Sequence, residues 1–322
     1  METTLPKISV VMTVFNAGTF LREAVQSILD QTFSEFDFII ADDGSTDRSR
    51  EYLTNLADPR IRFFPLGHVG RAAALNFAVF HTSAPLVAFA DADDVASPHR
   101  LQLQYDALQN DPAIDAVSSW YQMIDEEGNL IGEKRLPTSH EEIVQLMPVQ
   151  CSMCFPAALI RKEIVVQAGP FDEKLSAAID YDFWLRILDL ARFANLPMSL
   201  MKFRISPQSI SGRFKTAQGQ QAYDLGKNYL RKKFEEAGDA GSKADISLQL
   251  AKVEYYSGNM ALARRHLAGL LWNSAVMVVA WRYFLASLLG KKVFAFLRRT
   301  GVAGSLGKLL GGASSKHDYF MP

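Results

Sequence analysis

Cysteine is scarce, with two residues in 322, Cys151 and Cys154. This excludes a disulfide-stapled secreted scaffold and suits a reducing compartment. The pair has C-x-x-C spacing, but no second pair and no suitably spaced histidines complete a zinc site. The flanking run Phe155 to Ile160 is apolar, so two buried thiols are expected in preference to a redox pair. Long apolar runs are missing too. The strongest, Ala275 to Leu289, is interrupted by Arg282 and falls short of the ~20 residues that span a bilayer. Met1 to Lys7 places no basic segment before a long apolar stretch, so no secretory signal is expected and a cytoplasmic location follows. Acidic residues are absent from Tyr255 to His317, where nine Lys or Arg occur. The formal net charge of -1 therefore hides an acidic front and a basic back.

What is present has an ordinary balance, 48% apolar and 21% charged, which predicts a globular protein with a large core. The first hundred residues alternate strand and helix patterns. Ile8–Met12, Phe36–Ala41, Ile61–Phe64 and Leu86–Ala90 read as strands. Phe20-Leu21, Ala24-Val25 and Ile28-Leu29 have helical spacing, and Arg71 to Phe80 reads as another helix. A helix from Pro98 to about Asn110, a strand from Ile114 to Tyr121 and a hairpin turn over Asp125–Asn129 follow. Thr138 to Phe203 mixes short elements. Polar residues between Ser206 and Gly212 punctuate the chain, and everything beyond about Lys215 reads helical. Within it Leu248–Leu271 is spaced like one helix-turn-helix repeat unit. The alternation predicts an α/β fold, a mostly parallel sheet flanked by helices, with a boundary near 214 and a helical extension over 215–322.

Two of these strands end in carboxylates. Phe38-Ile39-Ile40-Ala41 runs into Asp42-Asp43-Gly44-Ser45, and Leu86-Val87-Ala88-Phe89-Ala90 runs into Asp91-Ala92-Asp93-Asp94. The C-terminal ends of parallel strands are where open α/β sheets bind ligands. Carboxylates are costly to gather there unless a cation, a ligand hydroxyl or water compensates them. A metal and nucleotide site is the expectation. Asp91 and Asp93, two apart, point the same way if the segment stays extended. A solvated acidic turn capping the next helix is the alternative.

The run Ile8 to Asn16, the segment Ala24 to Thr32 and the cluster Asp42 to Asp47 resemble the opening of a family 2 glycosyltransferase. The likeness continues through Gly70 to Asn76, Asp91 to Asp94, Phe171 to Glu173 and Asp180 to Arg186, and fades near Ser211. It implies a Rossmann-like GT-A fold over 1–214, with a nucleotide-binding half at 1–110 and an acceptor-facing half at 111–214. By this resemblance the enzyme is an inverting transferase that moves a hexose from a nucleoside-diphosphate sugar, a UDP-sugar foremost, to a glycan or lipid-linked acceptor. Asp93 takes a divalent metal, Mg or Mn, and Asp91 the ribose or the metal. Asp42 accepts from the uracil ring, with Thr13 and Phe15 framing the base. Arg71 meets the diphosphate, and Asp180 is the base that takes the acceptor proton. Core packing for Phe15, and a plain surface position for Arg71, are the competing readings. Asp182 is the alternative base, and Trp184 faces either core or acceptor.

Two departures from the family pattern stand out. Ile179 precedes Asp180 where an acidic residue is usual, and Ser206 stands where a histidine ligand is frequent. They encourage one rival, a catalytically degenerate GT-A fold serving as a binding or scaffold module. A nucleotidyltransferase, the other rival, would favour a Gly-rich phosphate loop after the first strand, and Met12 to Gly18 is not one. The basic tail, with Lys291-Lys292 and Arg298-Arg299 around the apolar Val293–Leu297, suggests reversible contact with an anionic membrane. A packed helical subdomain with a basic outer face is the alternative, and a nucleic-acid partner is not expected.

Overall fold

Four apolar segments pair side by side in the computed structural model, which describes residues 5–206, 215–272 and 276–299. They are β1 (Ile8–Val14), β2 (Phe36–Asp42), β3 (Ile61–Pro65) and β4 (Leu86–Asp91), ordered β3-β2-β1-β4 and all parallel. Ile8 to Met12 and Phe38 to Ala41 are buried on both faces, which is why these strands read as continuous apolar runs. Parallel neighbours need crossovers, and the helical segments supply them. They are α1 (Phe20–Leu29), α2 (Ser49–Thr54) and α3 (Arg71–Phe80). In α1 the residues Leu21, Ala24, Val25 and Ile28 recur at three- and four-residue spacing and are the ones buried against the sheet core.

Beyond β4 the sheet becomes mixed. β5 (Val95–Ala96), β6 (Ala116–Ile124), β7 (Leu130–Lys134), β8 (Leu159–Arg161) and β9 (Phe193–Arg204) extend it in the order β4-β8-β6-β9-β5, with β7 hairpinned onto β6. Only β6–β9 is parallel among these pairs. The hairpin turn closes through Asn129 main-chain and side-chain nitrogens donating to the Asp125 carboxylate. Flanking helices are α4 (Arg100–Asn110), α5 (His140–Leu146), α6 (Lys162–Ala168) and α7 (Ile179–Arg186). Trp184 is fully buried among Phe155, Phe183 and Phe193, so it belongs to the core and not to an acceptor surface. Cys154 is buried and Cys151 half-buried, both as free thiols. Burial pushes the Cys151 thiol up to about 12, which disfavours a free thiolate there.

The chain divides into two compact units. One contains Met1–Met147 with Cys151–Phe214, and the other Pro148–Gln150 with the chain from Lys215 onward. The second unit comprises α8 (Lys215–Glu236), α9 (Ala240–Ser257), α10 (Met260–Ala268) and α11 (Met277–Arg299). α9 and α10 form the helix-turn-helix that the spacing suggests. Gly258, at φ +94, ends the first helix, and the Asn259 side chain accepts from the Leu262 amide to cap the second. Ala251, Leu267, Leu270 and Ala280 lie at the centre of this unit. No described helix is long and apolar enough to cross a membrane. Lys308, Lys316 and the punctuation between 207 and 214 lie outside the described residues.

Candidate active site

Three strand ends finish together. β1 lies between β2 and β4, and its C-terminal Thr13 is level with Ala41 on one side and Asp91 on the other. β1 leads to β2 on one side, whereas β4 on its other side leads away into the mixed half of the sheet, so these strand ends form a topological switch point, the place where open α/β sheets bind ligands in a crevice. Thr13 is half-buried at its floor. Phe15 emerges at the rim with 44% of its surface exposed, which sets aside core packing. Its ring stacks on His68 at 4.4 Å between centroids. His68 was not legible as a rim residue, because it falls outside the motifs on either side of it.

The loops on this rim are sewn to one another by side chains. Asn16, in the left-handed region at φ +49, accepts through Oδ1 from the amides of Thr46 and Asp47, and its own amide donates to Ser45 Oγ. Asp42 is fully buried, with Oδ1 accepting from the Ser45 amide and Oδ2 from Arg50 Nε at 2.6 Å. Asp43 accepts from the amides of Val69 and Gly70. Gly44 has φ +80, and a Cβ there would come within 2.8 Å of the His68 amide nitrogen, so glycine is required on both counts.

The second acidic cluster sits directly beside this rim. Asp91, Asp93 and Asp94 each bring one carboxylate oxygen within 4.8 Å of the others. Among the described residues no other group of three His, Cys, Asp or Glu is gathered in this way. Arg71, the first residue of α3, donates to Asp91 Oδ1 at 2.9 Å. The charges of Asp91, Asp180 and Asp93 all raise the Arg71 guanidinium against the effect of its burial, so helix start, acidic turn and α7 converge electrostatically. Burial, and then the Asp91 charge, push the Asp93 carboxyl up to about 6. Burial drives Asp94 well above the ordinary carboxylate range. Arg204, the last residue of β9, donates its amide to Asp94 Oδ1 and its Nε to the Asp93 main-chain oxygen.

The acidic turn suits a hard divalent cation. Its donors are all carboxylate oxygens, the set that Mg and Mn prefer. Asp94 Oδ2 is buried without a hydrogen-bond partner, a state that a cation or its water would relieve. The Ser206 hydroxyl donates to Glu126 Oε1 on the β6–β7 turn.

The raised Asp93 value has a consequence for stability. Charged Asp93 is disfavoured in the folded protein, so its stabilising share is full below the unfolded pKa of about 4 and is lost as pH rises through about 6. In a chelator, Asp93→Asn is expected to melt above the parent protein at neutral pH. The gain should shrink to nothing near pH 4. Calorimetry of both proteins across this range checks it, and a gain independent of pH would contradict the assignment of that carboxyl.

Asp180 and Asp182 share the first turn of α7 but differ in their surroundings. Asp182 Oδ2 accepts from Arg186 Nε at 2.8 Å, and Arg186 in turn donates to the Ala168 main-chain oxygen. Asp180 has no such partner among the described hydrogen bonds and interacts with Arg71 and Asp91 instead. Burial, with the Asp91 charge adding to it, raises its carboxyl, and Arg71 opposes the shift. Ala178, just before the helix, is left-handed at φ +53. Of the seven site residues anticipated from sequence, Thr13, Phe15, Arg71, Asp91, Asp93 and Asp180 lie at this end of the sheet. Asp42 lies there as well, below the surface.

Residues 9–168 match the family described as "Glycosyl transferase family 2". The "O-antigen biosynthesis glycosyltransferase WbnJ" of Escherichia coli is 32% identical over 217 residues, which is 64% of this chain and 82% of that protein. Among solved structures, S. aureus TarS 1-349 in complex with UDP-GlcNAc superposes with a TM-score of 0.61 at 17% identity, covering 90% of this chain and 83% of that one. A mannosyltransferase from Pyrobaculum calidifontis, in complex with GDP-Man and Mn2+, gives a TM-score of 0.56 at 17% identity, with 95% and 88% covered. At such identities the likeness concerns the fold, which is GT-A.

Proposed function

Because the chain belongs to glycosyl transferase family 2, we propose that its crevice moves a hexose, with inversion, from a UDP-sugar to a glycan or lipid-linked acceptor. The observation that carries this reading is the convergence of Arg71 and Asp180 on the Asp91–Asp93–Asp94 turn at the strand ends. Phe15 offers an exposed ring to the base, and Thr13 lines the floor. Asp42 has both oxygens engaged by Ser45 and Arg50, so it serves the base through the Arg50-braced loop or by exchanging one of those bonds. A divalent ion held by Asp93 and Asp91 would neutralise the charge that develops on the leaving diphosphate. Arg71 supplies a fixed positive charge on the same side. Asp180 takes the proton of the acceptor hydroxyl as its oxygen bonds to the anomeric carbon. The bond from that carbon to the diphosphate oxygen breaks, and the nucleoside diphosphate departs.

UDP-GlcNAc in TarS and GDP-Man in the Pyrobaculum enzyme support a nucleotide-sugar donor, and the O-antigen role in WbnJ's name supports an acceptor in surface polysaccharide assembly. A panel of UDP- and GDP-sugars, assayed for slow hydrolysis with Mn2+ and no acceptor, tests the reading. Release of UDP from one donor is expected. Silence across the whole panel would favour the degenerate alternative.

The basic helical region is proposed to rest on an anionic membrane at its inner face. Support comes from exposed Val278, Leu285 and Leu288 along α11, combined with Lys291, Lys292, Arg298 and Arg299 in the C-terminal half of its sequence. The packing of Ala280 and Ala286 inside the helical unit means that one face of α11 is already used. Each basic residue near the surface contributes about 1 kcal/mol. Replacing Lys291, Lys292, Arg298 and Arg299 with glutamate should therefore release the protein from anionic liposomes at low salt. Co-sedimentation that is equal for parent and variant, or absent for both, would retire the membrane proposal.

A further inference from the structure

The turn that carries the three carboxylates is held from outside by one residue. Arg204 is 2% exposed, and β9 delivers it by running antiparallel to β5 immediately after the turn, Val95 opposite Lys202 and Ala96 opposite Met201. Its amide reaches Asp94 Oδ1 at 2.8 Å and its Nε reaches the Asp93 main-chain oxygen at 2.9 Å. Nη1 donates to the main-chain oxygens of Asp125 and Glu126, at 3.1 and 3.2 Å, and so fixes the β6–β7 turn as well. Nη2 donates to Glu23 Oε2 on α1 at 2.6 Å, and the guanidinium lies 4.5 Å from the Phe20 ring centroid. One side chain thus joins three segments that no backbone ladder connects to one another at that point. A planar fork does this where a lysine ammonium cannot, because the donors must leave in fixed and different directions.

We infer that Arg204 is a positioning residue for the metal-binding turn, fixing Asp93 and Asp94 so that their carboxylates meet Asp91 around one cation, and that Glu23 on α1 holds Arg204 in place. This rests on the metal reading of the turn proposed above. Three adjacent carboxylates repel one another, and with its main-chain anchor gone the turn relaxes by opening. The cost then falls on cation affinity and not chiefly on folding. Arg204 touches Asp93 through its main-chain oxygen and not through its carboxylate.

The experiment titrates Mn2+ into the full-length protein with UDP present and counts free Mn2+ by electron paramagnetic resonance, alongside a thermal melt. Parent, Asp93→Asn, Arg204→Lys and Glu23→Ala are compared. Arg204→Lys is expected to weaken Mn2+ binding about tenfold and Glu23→Ala about threefold, with both melting cooperatively. Because the Glu23 side chain is largely solvent-exposed, that variant folds even if Arg204→Lys does not, and it then decides alone. A lowered melting temperature with unchanged Mn2+ affinity in Glu23→Ala, or in a folded Arg204→Lys, would mean that Arg204 is merely structural and overturn the inference. No Mn2+ binding by the parent, or binding by Asp93→Asn equal to the parent's, would overturn the metal reading itself and this inference with it.

Discussion

Asp93→Asn is expected to abolish sugar transfer, by about a thousandfold or more, while the protein keeps its fold. A cation at a departing diphosphate provides several kcal/mol of charge stabilisation, and ~1.4 kcal/mol corresponds to each tenfold in rate. The side chain stands at the crevice and outside the hydrophobic core, so its loss leaves no cavity. An amide oxygen is a weaker and uncharged ligand, and the change also removes repulsion toward Asp91. The same substitution should therefore lower activity and raise melting temperature without metal, a combination that ordinary damage to packing does not produce. Transfer assays over a range of Mn2+, read with the melt, check it. Full activity with unchanged metal dependence would remove Asp93 from the site.

Asp180→Asn is expected to cut kcat by between about a hundredfold and ten-thousandfold, the usual range for a lost general base, with the Kd for nucleotide-sugar near that of the parent. In the role proposed for it the proton moves only as the acceptor attacks, so ground-state donor binding would not draw on it. Asp182→Asn should behave differently. Its carboxylate is committed to Arg186, itself bonded to the Ala168 main-chain oxygen, and losing that pair costs about 1 kcal/mol of stability with little change in rate. Single-turnover kinetics and calorimetry on both variants separate the two roles. If Asp182→Asn is the slower enzyme and Asp180→Asn the less stable protein, the two assignments exchange places.

The parallel half of the molecule was readable because its strands are short apolar runs, two of them ending in carboxylates, and the crossover helices α1 and α3 carry a helical spacing. Helix α3 begins and ends at Arg71 and Phe80, where the pattern places it. The other half hides its strands. β5 is two residues long and β8 three, too short for any period to register. β9 contains Pro197, and its register with β6 jumps there, Ser119 facing Leu196 and Trp120 facing Ser199. The site residues divide in the same way. Asp91 and Asp93 announce themselves by charge at the end of an apolar run and Asp180 through the family resemblance, whereas Arg204 and Glu23 meet across 181 positions and have no local signature. Trp184 was ambiguous for the converse reason, since an aromatic side chain in an amphipathic turn looks alike whether it faces a core or a sugar.

The stitched rim bears on the speed and entropy of ligand capture. The amides of Ser45, Thr46, Asp47, Val69 and Gly70 lie in loops, yet each donates to a side chain of Asn16, Asp42 or Asp43. In deuterium exchange these loop amides should therefore resist labelling much as a strand does. A nucleotide arriving at such a rim has little backbone left to order, so the usual entropic toll of loop closure is largely absent from its binding. The temperature dependence of affinity would carry the mark of that rigidity, a modest entropic penalty for an interface made mainly of loops.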